Sequence, residues 1–408
     1  MKVSVIAIGD ELLLGSVVDT NTPFLATLID NEGWQLVHSC QVHDNPVDIL
    51  FAVKDAMRRS DIVLTTGGLG PTKDDITKQV LCEYFGGHLV HDPEVAANVA
   101  RIFAQRGLPM NPLTASQAMV PDTCKVVPNV SGTAPGMWFE RDGKVLVSMP
   151  GVPREMRYIF TGEVLPRLRA LDDVDRVPVH HRFFLLEGIS ESKLNGELDE
   201  LAADSELSDI HIAYLPQPGD LKVRLDSENV DAIEKAAAEF ARLFGEYIFA
   251  NEDTTPATAL IDTLKAHGLT VSSAESCTGG KIAHMITSVA GSSAVYNGSV
   301  VSYSNEMKIN VLNVDPDTIS QLGAVSEPVA AMMAQGVTKV AMTECAVSTS
   351  GIAGPGGATP GKPVGTVCIA IHTPSGTTTG TYHFTGNRAD IIERASVKAL
   401  ILLIRALK

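Results

Sequence analysis

The stretch Leu269-Thr270-Val271-Ser272-Ser273-Ala274-Glu275-Ser276-Cys277-Thr278-Gly279-Gly280 passes from apolar residues into small, hydroxylated and glycine residues. An apolar-periodic segment, Ile282 to Val289, follows it. That order predicts a strand, a tight glycine-assisted turn and the start of a helix. Such a turn sets small hydroxyl and thiol side chains where backbone N–H groups and the helix dipole can meet negative charge. Ser276, Cys277 and Thr278 are therefore three adjacent candidates for a nucleophile or an anion ligand. Each reads equally as an ordinary helix cap, and most hydroxyl residues at helix starts are caps.

The same strand–turn–helix unit recurs upstream. Val3 to Gly9 reads as a buried strand, Asn21 to Asn31 as a helix, Gln35 to Val42 as a strand, Pro46 to Arg59 as an amphipathic helix and Asp61 to Thr66 as an apolar strand. Repeated β–α units predict a parallel sheet covered on both faces, with ligands at the carboxyl ends of its strands. The strand at Thr66 runs into Gly67-Gly68-Leu69-Gly70-Pro71-Thr72-Lys73-Asp74-Asp75. Gly67, Gly68 and Gly70 let the backbone approach a ligand and leave N–H groups for phosphate. Asp74 and Asp75 supply hard oxygen ligands for a divalent metal such as Mg²⁺. The same loop also reads as a glycine-rich turn with aspartate caps, and it lacks the Gly-Lys-Ser/Thr ending of a Walker A loop. Asp10 and Glu11 end the first strand on the same edge. A hairpin from Met137 to Met149 and a long helix from Pro153 to about Leu171 complete this part.

Asp172 to Arg176 is a charged break. Beyond it a β-α-β-β-α order, from residue 177 to 250, predicts a small α+β module. It is KH-like in outline but acidic and without a Gly-x-x-Gly loop, which favours a linker or dimerisation role over RNA binding. Thr254-Thr255-Pro256 leads into a last domain, 255–408. There a second glycine-rich loop, Gly351 to Gly357 with Gly354 at its centre, and Gly386-Asn387-Arg388 can converge with Ser276. No histidine near Ser276 suits the usual triad. Lys308 can replace it as base if burial lowers its pKa, although on its helix it also reads as a solvated lysine.

Size and charge bound these readings. The 408 residues exceed one ordinary domain. A 45% apolar and 20% charged composition is that of a globular protein. The net charge of −16 disfavours a general nucleic-acid binder. No apolar run approaches the length that spans a bilayer. The short apolar N-terminus before Asp10 reads as a core strand and not a signal peptide. The six cysteines show no Cys-x-x-Cys spacing, which excludes a zinc pattern or disulfide framework and points to the cytoplasm. The terminal helix is apolar enough to be buried in its domain or in a homodimer.

Several motifs together resemble one family. In the N-terminal part they are Ile8-Gly9-Asp10-Glu11, the Thr66–Asp75 loop, Asn111-Pro112 with Ser116-Gln117-Ala118, and Met149-Pro150-Gly151-Val152-Pro153 with Glu155-Met156. In the C-terminal part they are Ala274–Gly280, Tyr303-Ser304-Asn305-Glu306 with Lys308, Gly323–Glu327, Ser350–Pro355 and Phe384 with Gly386 and Arg388. These resemble the competence/damage-inducible CinA family over nearly the whole chain. The resemblance implies an α/β protein in three parts. Residues 1–171 would form a molybdopterin-binding-like parallel-sheet domain, with metal-dependent ADP-ribose pyrophosphatase activity in some members. Residues 177–250 would form the KH-like module. Residues 255–408 would form an α/β nicotinamide mononucleotide deamidase that needs no cofactor. By position, Ser276 would be the nucleophile, Lys308 its base, Tyr303 a supporting hydroxyl and Arg388 a phosphate ligand. Helix-start N–H groups at Thr278, Gly279 and Gly280 would hold the oxyanion. Thr278 and Ser326 would add pocket hydroxyls, with Cys277 as the rival nucleophile. The alternative is a nucleotide- or pterin-binding regulatory protein of the competence or damage response.

Overall fold

Strand β1 (Lys2–Ile8) is buried beyond its first residue, as a strand covered on both faces must be. The computed structural model describes residues 1–72, 75–110, 112–172, 179–201, 206–208 and 210–408. The chain divides into two units, Met1–Pro178 and Val179–Lys408.

In the first unit β1 is followed by α1 (Asn21–Asn31), β2 (Gln35–Val42), α2 (Pro46–Arg59), β3 (Ile62–Thr66) and α3 (Thr77–Phe85). Helix α2 starts where the sequence signals a start: Asn45 accepts from Asp48 N–H and Pro46 opens the first turn. A short pair, β4 (Leu89–His91) with β5 (Met119–Pro121), encloses α4 (Pro93–Gln105). Then come β6 (Lys125–Val127), β7 (Gly136–Arg141) and β8 (Lys144–Met149). The six-stranded sheet has the order β2-β1-β3-β8-β7-β6. Its first four strands are parallel. The last two are antiparallel, because Asp142 and Gly143, both at positive φ, return β7 directly into β8. One apolar cluster, with Val5, Leu25, Val147 and Phe160, covers one face. Another, with Ile6, Val53, Leu81 and Phe139, covers the other. The helix from Pro153 is broken into three pieces by a π-turn at Phe160–Val164, just before Pro166, whose ring nitrogen cannot donate to the helix.

The second unit holds two sheets. Strands β9 (His180–Leu186), β10 (His211–Gln217), β11 (Asp220–Ser227) and β12 (Ile248–Ala250) form an antiparallel sheet in the order β10-β11-β9-β12. Helices α5 (Glu191–Leu201) and α6 (Val230–Phe244) lie in its connections. After α7 (Pro256–His267) comes the second sheet, β14-β13-β15-β16-β17. Its strands are β13 (Val271–Glu275), β14 (Tyr296–Val301), β15 (Cys345–Gly351), β16 (Thr366–Thr373) and β17 (Gly376–His383). Strand β13 is parallel to both neighbours, β14 and β15. Its helices are α8 (Lys281–Thr287), α9 (Asn305–Leu312), α10 (Glu327–Ala341) and α11 (Arg388–Leu407). The expected parts 177–250 and 255–408 share a core: Leu185 of β9 and Phe249 of β12 belong to the same apolar cluster as Leu264, Val271 and Leu400. Lys398 adds a 2.5 Å ion pair to Glu187. Among the described residues no helix is long and apolar enough to cross a membrane.

Candidate active site

In the second unit β13 delivers Ser276 to the carboxyl edge of its sheet, where Ser276 N–H donates to Thr349 O at 2.9 Å. Beside β13, Ser304 caps α9 by accepting from Met307 N–H. One residue later α9 turns Lys308 inward, and the lysine is 1% exposed. Its Nζ lies 3.0 Å from Ser276 Oγ, 2.8 Å from Ser302 O and 3.4 Å from Tyr303 O. These neighbours carry no formal charge. Burial pushes the lysine below its ordinary range. A neutral amine so placed can take the serine proton.

Cys277 is the rival by sequence. It is buried, and desolvation pushes its thiol up to about 12. At neutral pH it is a thiol and not a thiolate.

A cavity of about 200 Å³ opens over the pair, lined by Ser276, Tyr303, Asn305, Lys308, Ser350 and Arg388 among others. Tyr303 is 63% exposed at its rim, and its hydroxyl accepts from Arg388. Arg388 Nη2 donates to Tyr303 Oη at 3.1 Å and Nη1 to Gly354 O at 2.7 Å. Asn387 accepts from Ala389 and Asp390 N–H in a capping box that fixes the start of α11 and hence Arg388. Gly354 borders an adjoining cavity that shares Ala353 and Arg388 with the first.

Three expected roles are corrected. Gly279 N–H donates to Ser276 O and Gly280 N–H to Glu275 Oε2, so neither is free for an oxyanion. Thr278 turns its hydroxyl away from the cavity, 2.8 Å from Glu275 Oε2 and 2.7 Å from Thr349 Oγ1. Ser326 donates to Gly323 O at the start of α10, and Ala324 and Val325 line the cavity in its place. Asn305, beside the cap Ser304, also lines the cavity, and its place between Tyr303 and Lys308 is the sequence signal that points to it.

In the first unit a cavity of about 660 Å³ lies at the carboxyl ends of β1 and β3. Asp10, Glu11, Gly67, Gly68, Gly70 and Asp75 line it as expected, while Lys73 and Asp74 fall outside the described residues. Gly67 is obligatory for packing, since a Cβ there would sit 2.0 Å from Ile8 O. Asp75 is not an open metal ligand. Its carboxylate accepts from Gly70 N–H at 2.7 Å and from Thr72 N–H at 2.8 Å, closing the loop. Asp44, Asp19, Asn21 and Glu155 also line the cavity. Asp44 stands in a segment with no glycine signature, so only the fold brings it here, whereas Asp19 and Asn21 follow Gly15 and Glu155 follows the Pro150-Gly151 turn. Asn21 braces the site, donating to Thr66 Oγ1 and Gly151 O at 2.8 Å each. A hydrogen bond from His43 holds the Asp10 carboxyl low. Burial, and then the charges of Glu11, Asp10 and Asp75, push Asp44 up. No described lining residue is Lys or Arg.

Residues 253–407 match the family model "CinA C-terminal domain", and residues 4–170 match "Probable molybdopterin binding domain". A CinA-like protein of Flavobacterium psychrophilum is 39% identical over 99% of this chain and 98% of its own length. The chain belongs to the CinA family. A second CinA-like protein, from Cytophaga hutchinsonii, is 39% identical over 99% of this chain and 97% of its own. CinA sequences thus match both units, and both cavities described above lie inside the two model-matched regions.

Proposed function

We propose that the second unit hydrolyses the carboxamide of nicotinamide mononucleotide, with Ser276 as nucleophile and Lys308 as its base. The observation that carries this reading is the 3.0 Å approach of a buried lysine to the serine oxygen. Ser276 Oγ bonds to the amide carbon as its proton passes to the neutral Lys308 amine. The tetrahedral adduct then loses its C–N bond, and Lys308 returns the proton so that ammonia leaves. Water attacks the acyl-serine, Lys308 again takes a proton and returns it to Ser276 Oγ, and nicotinate mononucleotide is released. Arg388 at the rim suits a phosphate through its forked donors. The N–H groups that would hold the oxyanion are those of Cys277 and Thr278, the residues directly after the nucleophile.

The experiment is ammonia release from nicotinamide mononucleotide. Ser276→Ala should lower turnover on the order of 10⁴-fold, and Cys277→Ala should keep most of it. The reverse pattern would replace serine by cysteine as nucleophile.

A second reading concerns the first unit: its cavity takes a nucleoside diphosphate such as ADP-ribose. The crowding of Glu11, Asp10 and Asp75 around Asp44 suits a divalent cation. No three such side chains among the described residues form a ready cage, so Asp10 and Asp44 would hold the ion together with ligand phosphates. When bound, the ion would offset charge on the diphosphate. Assays of ADP-ribose with and without Mg²⁺ test it, and equal rates in both would remove the metal.

A further inference from the structure

Glu275 closes β13 immediately before Ser276 and is fully buried. Among the described residues no lysine or arginine pairs with it. Its two oxygens are instead ringed by neutral donors. Oε2 accepts from Thr278 Oγ1 at 2.8 Å, Gly280 N–H at 2.9 Å and Ile282 N–H at 3.1 Å. Oε1 accepts from Ala283 N–H at 2.9 Å and Ser273 Oγ at 3.2 Å. The carboxylate thus caps α8 from the strand that precedes it and satisfies helix-start amides that would otherwise be buried without partners. It also begins a chain of contacts around the nucleophile. Thr278 links Glu275 to the Thr349 hydroxyl, and the Thr349 carbonyl accepts from Ser276 N–H.

Resting on the serine–lysine reading above, we propose that Glu275 is a positioning residue for Ser276. It holds the 276–280 turn so that Ser276 Oγ meets Lys308 Nζ, and it occupies the amides of Gly280, Ile282 and Ala283. The amides of Cys277 and Thr278, which directly follow the nucleophile, are then the remaining candidates for the oxyanion. A glutamine is nearly the same size but offers one acceptor oxygen and two donors. Its NH₂ would face backbone N–H groups, and the turn would have to shift. A displacement of about 1 Å at a nucleophile is enough to cost on the order of 10²-fold in rate.

The test uses the full chain and two readouts. One is the rate at which a fluorophosphonate labels Ser276, followed by intact mass with Ser276→Ala as the blank. The other is the kcat and KM of ammonia release from nicotinamide mononucleotide. In folded Glu275→Gln, labelling and kcat should both fall about 10- to 100-fold while KM stays near wild type. Wild-type labelling in the folded variant overturns the proposal. If Glu275→Gln does not fold, Thr278→Val keeps the carboxylate and its backbone donors but breaks the link to Thr349. It must show the same selective loss, and unchanged labelling or failure of both variants to fold overturns the proposal. A wild-type chain that labels at Ser276 but releases no ammonia sinks the substrate reading alone, and labelling then judges Glu275. A wild-type chain that does not label overturns both.

Discussion

Lys308 looks in sequence like one more solvated helix lysine, following Asn305 and Glu306 on a polar segment. Its burial comes from the docking of α9 against the 276 turn, which no local pattern encodes. The pH dependence follows from that burial. The folded chain holds the Lys308 proton less tightly than the unfolded chain does. Below its folded pKa the buried ammonium weakens the fold fully. Stability then rises as pH climbs from that value toward the ordinary lysine value of 10.5. Activity should rise with pH through the folded value itself, because only the neutral amine accepts the serine proton. The check is a pH–rate profile of ammonia release: its rising limb should lie below the ordinary lysine range, and Lys308→Met should abolish it. Cys277 shows the opposite limit of sequence reading. Its neighbour is the candidate nucleophile and its side chain is chemically stronger, yet burial keeps it protonated. Nothing local in the sequence says that the strand-end carboxylate of Glu275 folds over the start of the next helix.

Among the elements, those with capping residues and clean periodicity were legible: α1, β2 and α2 occupy the ranges that the pattern predicts. The β4–β5 pair was not, because two three-residue strands carry too few alternations to register, although α4 between them carries the Asp92 cap and Pro93 in its first turn. Acid clustering was visible only in part. Asp10, Glu11 and Asp75 sit at strand ends with glycine signals, whereas Asp44 reaches the cavity only because β2 lies beside β1. The start of α11 offers an element-scale prediction. Asn387→Ala removes the acceptor for two N–H groups and should cost about 1 kcal/mol of stability. Because the same turn carries Arg388, KM for nicotinamide mononucleotide should rise more than kcat falls. Thermal melting and steady-state kinetics check the two parts.

For the whole molecule, the shared core of the second unit sets where the chain can be cut. A fragment of residues 179–408 should keep the full rate of ammonia release. A fragment of residues 253–408 strips Leu185 and Phe249 from the cluster around α11. Each large apolar side chain lost from that core is worth about 2 kcal/mol, so the shorter fragment should melt at a lower temperature. Circular dichroism melts of the two fragments measure the difference, and equal melting temperatures would show that the two sheets do not support one another. The break at Thr254-Thr255-Pro256 was legible as a connection between β12 and α7. The joint core was not, because linker composition says nothing of what packs across it.

The six cysteines bear on how the protein meets oxidants and electrophiles. None is exposed, and burial raises the pKa of every one, to about 12 at Cys124 and Cys277 and to about 11 at Cys345. Thiolates are the reactive species toward peroxide and alkylating agents, so this chain offers almost none. On the serine–lysine reading proposed above, the nucleophile is an oxygen and the adjacent sulfur stays protonated, so activity needs no reducing environment. Iodoacetamide or mild peroxide treatment should leave ammonia release intact, which separates it in one step from thiol-dependent amidases in a mixed extract.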